Sequence, residues 1–329
     1  MTLGVFDYSK LIEDALDSLI PTGAPIALFD FSNYSNIGDS AIWLGEVKYL
    51  KNHPQSKIIF CDCQTSLDRL PKLPHETIIF IHGGGNFGDL WIRHQIFRLN
   101  LVKNYVDHRI IQFPQSIHFE NESIFEETRN ILALHPDFHL FVRDQESLSI
   151  AQSLHEGHCE LCPDMALYLG NIEYPKLSKK SKIFALMRTD KEKVIAVNQQ
   201  SDDELKVMDW ISEPRFAMRT VYRIIQRLAK VHPLLQMLLF RHNYNLFNAL
   251  SSYRVKRGCD MLSSGRIVIT DRLHAHILCS MMNIPHVVLD NSYRKIGSFR
   301  DSWQTGVGIC ETAASFEEAV ILANKISAD

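Results

Sequence analysis

No apolar run in this sequence approaches the roughly 18–20 residues that a membrane-spanning helix needs. Residues 1–20 carry Asp7, Glu13, Asp14 and Asp17, so no secretory signal core is expected there either. A large excess of charge of one sign is also missing. The net charge of −3 gives no global pull toward nucleic acid. Internal repeats and low-complexity segments are absent. Cysteine is scarce and odd in number: seven, at 61, 63, 159, 162, 259, 279 and 310, which suits reduced thiols better than a disulfide framework. The pairs Cys61/Cys63 and Cys159/Cys162 could be read as four zinc ligands. Cys61 continues the apolar run Ile58–Phe60, however, and buried thiols are the expectation. These absences point to a cytoplasmic globular protein, and 329 residues at 46% hydrophobic content suffice for two domains.

What the sequence does contain is organised around residues 267–290. Ile267–Ile269 is a short β-branched run, as a buried strand requires. Thr270 and Asp271 are placed to cap a following helix, Asn283 and Pro285 to stop it, and Val287–Leu289 supplies the next strand. This βαβ unit puts Asp271, Arg272 and His274 just beyond the carboxyl end of a strand, where open α/β sheets bind ligands. A cation, an imidazole and a helix N-terminus there make an anion site with a proton donor beside it.

The same arrangement recurs along the chain. An amphipathic helix over 5–20 precedes a strand over 24–31, which runs into Asn36-Ile-Gly-Asp39 before a helix over 41–51. Strands over 58–61, 77–81, 109–113 and 138–142 follow. After 77–81 comes His82-Gly-Gly-Gly85-Asn86-Phe-Gly-Asp89, a literal match to G-x-G-x-x-G. It does not lie in the first strand–helix turn, so close approach of a sugar or phosphate to bare backbone is expected rather than a dinucleotide. Pro114-Gln-Ser-Ile-His118 and Arg143-Asp144 stand at the next two strand ends. Residues 171–181, with Pro175 and Lys179-Lys180, read as a linker. Beyond it a strand over 183–187 runs into Arg188-Thr-Asp190, the loop 291–303 is cationic, and a helix over 315–326 closes the chain. The expected fold is α/β, with two Rossmann-like domains over 1–173 and 182–329 that face a cleft in the glycosyltransferase-B manner. The last helix is placed to pack across the halves.

Residues 214–257 hold nine Arg or Lys and no Asp or Glu. Arg215, Arg219, Arg223 and Arg227 are spaced i, i+4, so they form one stripe that suits either an anionic membrane surface or a solvated helix face. Leu235–Phe240 reads equally as helix or core strand.

Taken in order, Asn36-Ile-Gly-Asp39, His82-Gly-Gly-Gly85-Asn-Phe-Gly-Asp89, Pro114-Gln-Ser-Ile-His118, Arg143-Asp144-Gln-Glu-Ser147, Pro163-Asp164, Arg188-Thr-Asp190, Thr270-Asp-Arg-Leu-His274 and Asp290-Asn-Ser-Tyr-Arg-Lys295 are recognisable. Over nearly its full length the chain resembles the polysaccharide pyruvyltransferases. The resemblance implies transfer of pyruvate from phosphoenolpyruvate to two hydroxyls of a sugar, in a polysaccharide or its lipid-linked precursor, as a cyclic ketal. Phosphoenolpyruvate is then a co-substrate, and neither a cofactor nor a metal is expected. It also implies a donor site on the C-terminal domain made by Arg188, Asp271, Arg272, His274 and Lys295, with His274 and Arg188 as the catalytic residues, His274 the general acid, and Arg188, Arg272 and Lys295 the cations. Asp39, Gly84, Gly85, Asn86, Asp89 and His118 are the expected acceptor side, on the N-terminal domain.

Three other readings are weighed against this one. A nucleotide-sugar glycosyltransferase would want a ribose-binding Glu and a base-stacking aromatic where Arg, His and Lys dominate. A non-catalytic sugar- or lipid-binding protein would use the basic stripe. An NAD-dependent enzyme would rest on the glycine motif alone.

Overall fold

The computed structural model describes residues 7–63, 70–173, 181–189, 205–211, 224, 227, 233–290 and 294–327. They fall into two compact units. Unit 1 takes its residues from Met1–Tyr34, Ile42–Leu169 and Arg215–Ser251, and unit 2 from Ser35–Ala41, Gly170–Pro214 and Ser252–Asp329.

In unit 1, strands β1 (Pro25–Phe29), β2 (Lys57–Asp62), β3 (Ile78–Ile81), β4 (Gly84–Gly88), β5 (Ile110–His118), β6 (Phe138–Val142) and β7 (His158–Leu161) form one seven-stranded sheet. Its order is β2-β1-β3-β5-β6-β7, with β4 paired to β5, and every pairing is parallel. Parallel strands are covered on both faces, which is why they appear in sequence as unbroken apolar runs. β3 is Ile-Ile-Phe-Ile with all four residues buried. Ala27, Phe29, Phe60, Ile79, Ile81 and Leu140 belong to the core built on this sheet. The helices are α1 (Tyr8–Leu16), α2 (Ile37–Asn52), α3 (Ile92–Asn104), α4 (Glu122–Ala133) and α5 (Gln145–Leu154). The start of α2, within Ser35–Ala41, groups with unit 2.

Unit 2 repeats the design. Strands β8 (Ser181–Leu186), β9 (Leu205–Met208), β10 (Gly265–Thr270), β11 (His286–Leu289) and β12 (Cys310–Ala313) form a five-stranded parallel sheet, order β12-β11-β10-β8-β9. Helix α6 (Pro233–Leu262) divides between the units, residues 233–251 grouping with unit 1 and 252–262 with unit 2, and α7 (Leu273–Met281), α8 (Lys295–Trp303) and α9 (Phe316–Ile326) follow in unit 2. Ala319 and Ala323 seat α9 in this sheet's own core, with Ile183, Ile269 and Leu289. Setting β4 aside, each sheet begins with a strand flanked by its second and third strands. That doubly wound order has its switch point between β1 and β3 in unit 1 and between β8 and β10 in unit 2.

Several expectations need correcting. The glycine run is not an open turn before a helix: Gly84–Gly88 is strand β4, paired with β5. A side chain at Gly88 would collide with the carbonyl of His118, and its φ of 109° favours glycine independently. No dinucleotide fingerprint geometry exists there. β5 extends through Pro114–His118, which read as a loop. The loop 291–303 is helical from Lys295 onward. Leu235–Phe240 lies in helix α6 and is not a strand. The two cysteine pairs sit by β2 and on or after β7, at opposite edges of one sheet, so they cannot share a metal; all seven thiols are free. Arg215, Arg219 and Arg223 lie outside the described residues. Among the described residues, no helix is long and apolar enough to cross a membrane.

Candidate functional site

The switch point of unit 2 gathers most of the donor-side residues. β8 ends at Leu186 and leads through Met187 to Arg188; β10 ends at Thr270 and leads to Asp271 and Arg272. The Thr270 hydroxyl donates to the Leu186 carbonyl at 2.8 Å and accepts the Arg272 N–H at 3.1 Å, so it pins the two strand ends together. Asp271 was expected to cap α7. It turns instead toward β8 and accepts the backbone N–H of Arg188 at 2.9 Å. Arg272 occupies the N-cap position without a side-chain cap. Burial pushes the Asp271 carboxyl up to about 6, against the pull of the Arg188 N–H and of the nearby Arg272 and Arg188 charges.

Arg272 is committed. Its guanidinium reaches both oxygens of Asp209, at 2.7 and 2.8 Å, and lies 5.6 Å from the centre of the Trp210 ring. Asp209 also accepts the N–H and hydroxyl of Thr189, at 2.9 and 2.7 Å. The ends of β8, β9 and β10 are thus laced by one buried carboxylate that the sequence reading did not single out.

His274 is the second residue of α7 and is partly exposed. Its imidazole packs directly on the Cα of Gly38, where any side chain would collide with the His274 ring. This explains the glycine of Asn36-Ile-Gly-Asp39, whose φ is not positive. The loop is braced by Asn36, which accepts the Gly38 N–H at 3.1 Å and donates to Asp39 at 2.8 Å. Asp39, expected on the N-terminal domain, therefore belongs with unit 2 and His274. Lys295 opens α8 beyond the end of β11, the strand next to β10.

At the switch point of unit 1, Asp30 follows β1 with a strained φ of 70° and is fully buried. It pairs with His94 at 2.9 Å, and the Asn86 amide also meets the His94 ring, at 3.2 Å. The Asn86 side-chain oxygen Oδ1 accepts from Arg98 at 2.7 Å and from Gln115 at 3.0 Å. Burial lowers Arg98 to about 10, with Asp30 opposing the shift. Nearby, the fully buried Glu46 bridges His82 at 2.7 Å and the Gly83 N–H at 2.8 Å, and desolvation raises its carboxyl. Asp89 accepts the N–H groups of Glu120 and Asn121, and His118 sits 3.3 Å from Glu120. Gly84 is buried in β4 and Gly85 lies partly exposed beside it.

A family model described as "Polysaccharide pyruvyl transferase" matches residues 36–293, from the Asn36 loop through β11 and just beyond. The chain belongs to the polysaccharide pyruvyl transferase family. It is an enzyme that transfers pyruvate to polysaccharide. A provisionally named pyruvyl transferase, EpsO, of Bacillus subtilis (strain 168) is 31% identical over 297 residues, 88% of each chain. "Pyruvyl transferase 1" of Schizosaccharomyces pombe is 30% identical over 317 residues, 90% of this chain and 75% of the other. A solved structure, the protein KP1_0663 of Klebsiella pneumoniae, superposes with a TM-score of 0.61 at 17% identity, over 92% of this chain and 99% of that one, which speaks for the fold alone.

In this pyruvyltransferase, three family motifs have structural work to do. Arg143 donates to Asp164 at 2.6 Å and to the Ser116 hydroxyl at 2.9 Å, and Ser116 donates to Asp144 at 2.6 Å. A pocket of about 890 Å³ opens beyond β11 and β12, lined by Arg294, Arg300, Asp290, Asp301 and Glu318 among others. None of Arg188, Asp271, Arg272, His274 or Lys295 lines it. Arg294 pairs with Asp301 and Arg300 binds Thr312, so its cations are already engaged and the strand-end cluster remains the better candidate.

Proposed function

We propose that this pyruvyltransferase uses phosphoenolpyruvate as donor and closes a cyclic ketal on two neighbouring sugar hydroxyls. The observation that carries the reading is the convergence of Arg188, Asp271 and His274 at the β8/β10 switch point, with Gly38 beneath the imidazole. Phosphoenolpyruvate brings a carboxylate and a phosphate, which call for fixed cations and amide dipoles. Arg188 and Lys295 supply charge in this scheme. Arg272, held by Asp209, keeps the strand ends in register and adds its field.

His274 protonates the methylene carbon, leaving an oxocarbenium-like centre at C2. One sugar hydroxyl attacks C2 and gives up its proton, the C2–O bond to phosphate breaks, and the neighbouring hydroxyl closes the ring with loss of its own proton. The products are the ketal and inorganic phosphate. The Asp39, Asp89 and His118 side chains, with Asn86 and the backbone at Gly84 and Gly85, form the acceptor side. The acceptor is a glycan or a lipid-linked oligosaccharide, met at the inner face of the membrane through the basic stretch 214–257.

Incubation with phosphoenolpyruvate and a panel of glycans, read by phosphate release and product mass, tests this directly. Acceptor-dependent release that is lost in Arg188→Ala and His274→Ala supports it. Release indifferent to acceptor, or unaltered in both variants, removes it. Flotation with anionic liposomes tests the membrane element separately, since charge reversal at Arg219 and Arg223 should abolish binding.

A further inference from the structure

We propose that His276, His286 and Cys310 form a buried binding site for one transition-metal ion of the Zn²⁺ class, separate from the donor site. Among the described residues, one group of three His, Cys, Asp or Glu side chains has its ligand atoms converging, within 4.8 Å of one another, and this is it. All three residues are buried. A borderline-soft cation is what two imidazoles and a thiolate select.

The topology produces the site. His286 and Cys310 are the first residues of β11 and β12 and are register partners, so their side chains emerge together at the amino-terminal edge of the sheet. His276 reaches them from α7. The donor residues stand at the carboxyl-terminal edge, so the two sites use opposite ends of the same strands. An ion here would clamp α7, the helix that carries His274, to β11 and β12.

The geometry suits a metal beyond mere proximity. His276 Nδ1 is 3.6 Å from Cys310 Sγ. Tetrahedral zinc with Zn–S of about 2.3 Å and Zn–N of about 2.0 Å places its nitrogen and sulfur ligands about 3.5 Å apart. His276 Nδ1 and His286 Nε2 are 2.8 Å apart and must open by about 0.5 Å to reach the corresponding nitrogen–nitrogen edge. The far nitrogen of each ring is already fixed by oxygen. His286 Nδ1 donates to the Ile284 carbonyl at 2.8 Å, which leaves its Nε2 lone pair facing the cluster. His276 Nε2 lies 2.7 Å from the Thr305 hydroxyl, which can accept its proton. Metal-binding histidines are held and tuned by such outer contacts. Metal-free, the same two rings share a hydrogen bond. Binding therefore moves the His276 proton from Nδ1 to Nε2, which then donates to the Thr305 hydroxyl, and releases one proton, that of the Cys310 thiol.

The full-length protein, stripped with chelator and refilled with Zn²⁺ or Co²⁺, tests the proposal. One Zn²⁺ per chain should survive gel filtration. The Co²⁺ form should show thiolate-to-metal charge transfer together with the intense visible bands of a tetrahedral site. Cys310→Ser, nearly isosteric, should lose both while keeping the far-ultraviolet circular dichroism of the parent. Thr305→Val should weaken affinity about 10- to 100-fold. No retained metal in the parent protein overturns the proposal. So does Co²⁺ binding without thiolate charge transfer, a wild-type observation that needs no folded variant, or equal retention in Cys310→Ser.

Discussion

The Asp271 carboxylate accepts the backbone N–H of Arg188 at 2.9 Å, and this one bond joins the turn after β10 to the turn after β8. It fixes the loop carrying Arg188, the proposed donor cation, relative to the helix carrying His274. It also leaves a carboxylate buried at the strand ends, with its ionisation displaced to about pH 6.

That displacement has a sign. Asp271 ionises near 3.8 in the unfolded chain and near 6 in the folded one. Its favourable contribution is complete below about pH 3.8 and is lost as pH rises through about 6, a loss of about 3 kcal/mol. Asp271→Asn keeps an oxygen for the Arg188 N–H and has no such titration. Urea unfolding at several pH values should show the variant gaining on the parent between pH 4 and 7. Parallel stability profiles would contradict this.

Gly38→Ala puts a methyl group into the His274 ring. Overpacking of this kind costs about 1–3 kcal/mol. A displaced acid should lower turnover about 100-fold. Steady-state phosphate release beside thermal unfolding separates the two effects. A variant with wild-type turnover would show that the contact is packing alone.

Arg143 and Asp164 form a buried pair, and Asp164 also accepts the Ala166 N–H at 2.8 Å. Removing one partner strands the other charge, so Arg143→Ala should cost about 3–5 kcal/mol in equilibrium unfolding. A loss below about 1 kcal/mol would mean that water or a shifted neighbour replaces the guanidinium.

In the proposed reaction Asp209 acts as a positioning residue. Asp209→Asn keeps the size of the side chain but removes the charge facing Arg272. It should raise the KM for phosphoenolpyruvate more than it lowers kcat, because the released guanidinium shifts the strand ends that frame the donor. A fall in kcat alone, at constant KM, would assign it a different role.

Much of the fold was legible because its signals are local. Ile267–Ile269 and Ile78–Ile81 read as buried strands, and Asn283 ends α7 in the left-handed conformation, with φ of 52°, as a helix-stopping Asn does. The strand-end rule then located Arg188, Asp271, Arg272 and His274 without knowledge of strand order. What escaped depends on contacts between distant segments. β4 is built of glycines because β5 presses on it, and no local pattern announces such a strand. Helix α8 was hidden because its polar sequence offers little apolar periodicity beyond Ile296 and Phe299. Asp209 follows a strand of only four residues, and its importance lies in Thr189 and Arg272, both remote in sequence. Asp30 had one available signal, an acid directly after an apolar strand, but its His94 partner comes from α3.

The central claim is that His274 protonates the enol carbon of phosphoenolpyruvate before a sugar hydroxyl attacks C2. Running the reaction in D₂O with a productive acceptor and analysing the ketal methyl group tests it most directly. The mechanism predicts one deuterium per ketal methyl, with ketal formation abolished in His274→Ala. A product methyl carrying no solvent deuterium, or undiminished ketal formation in that variant, would contradict it.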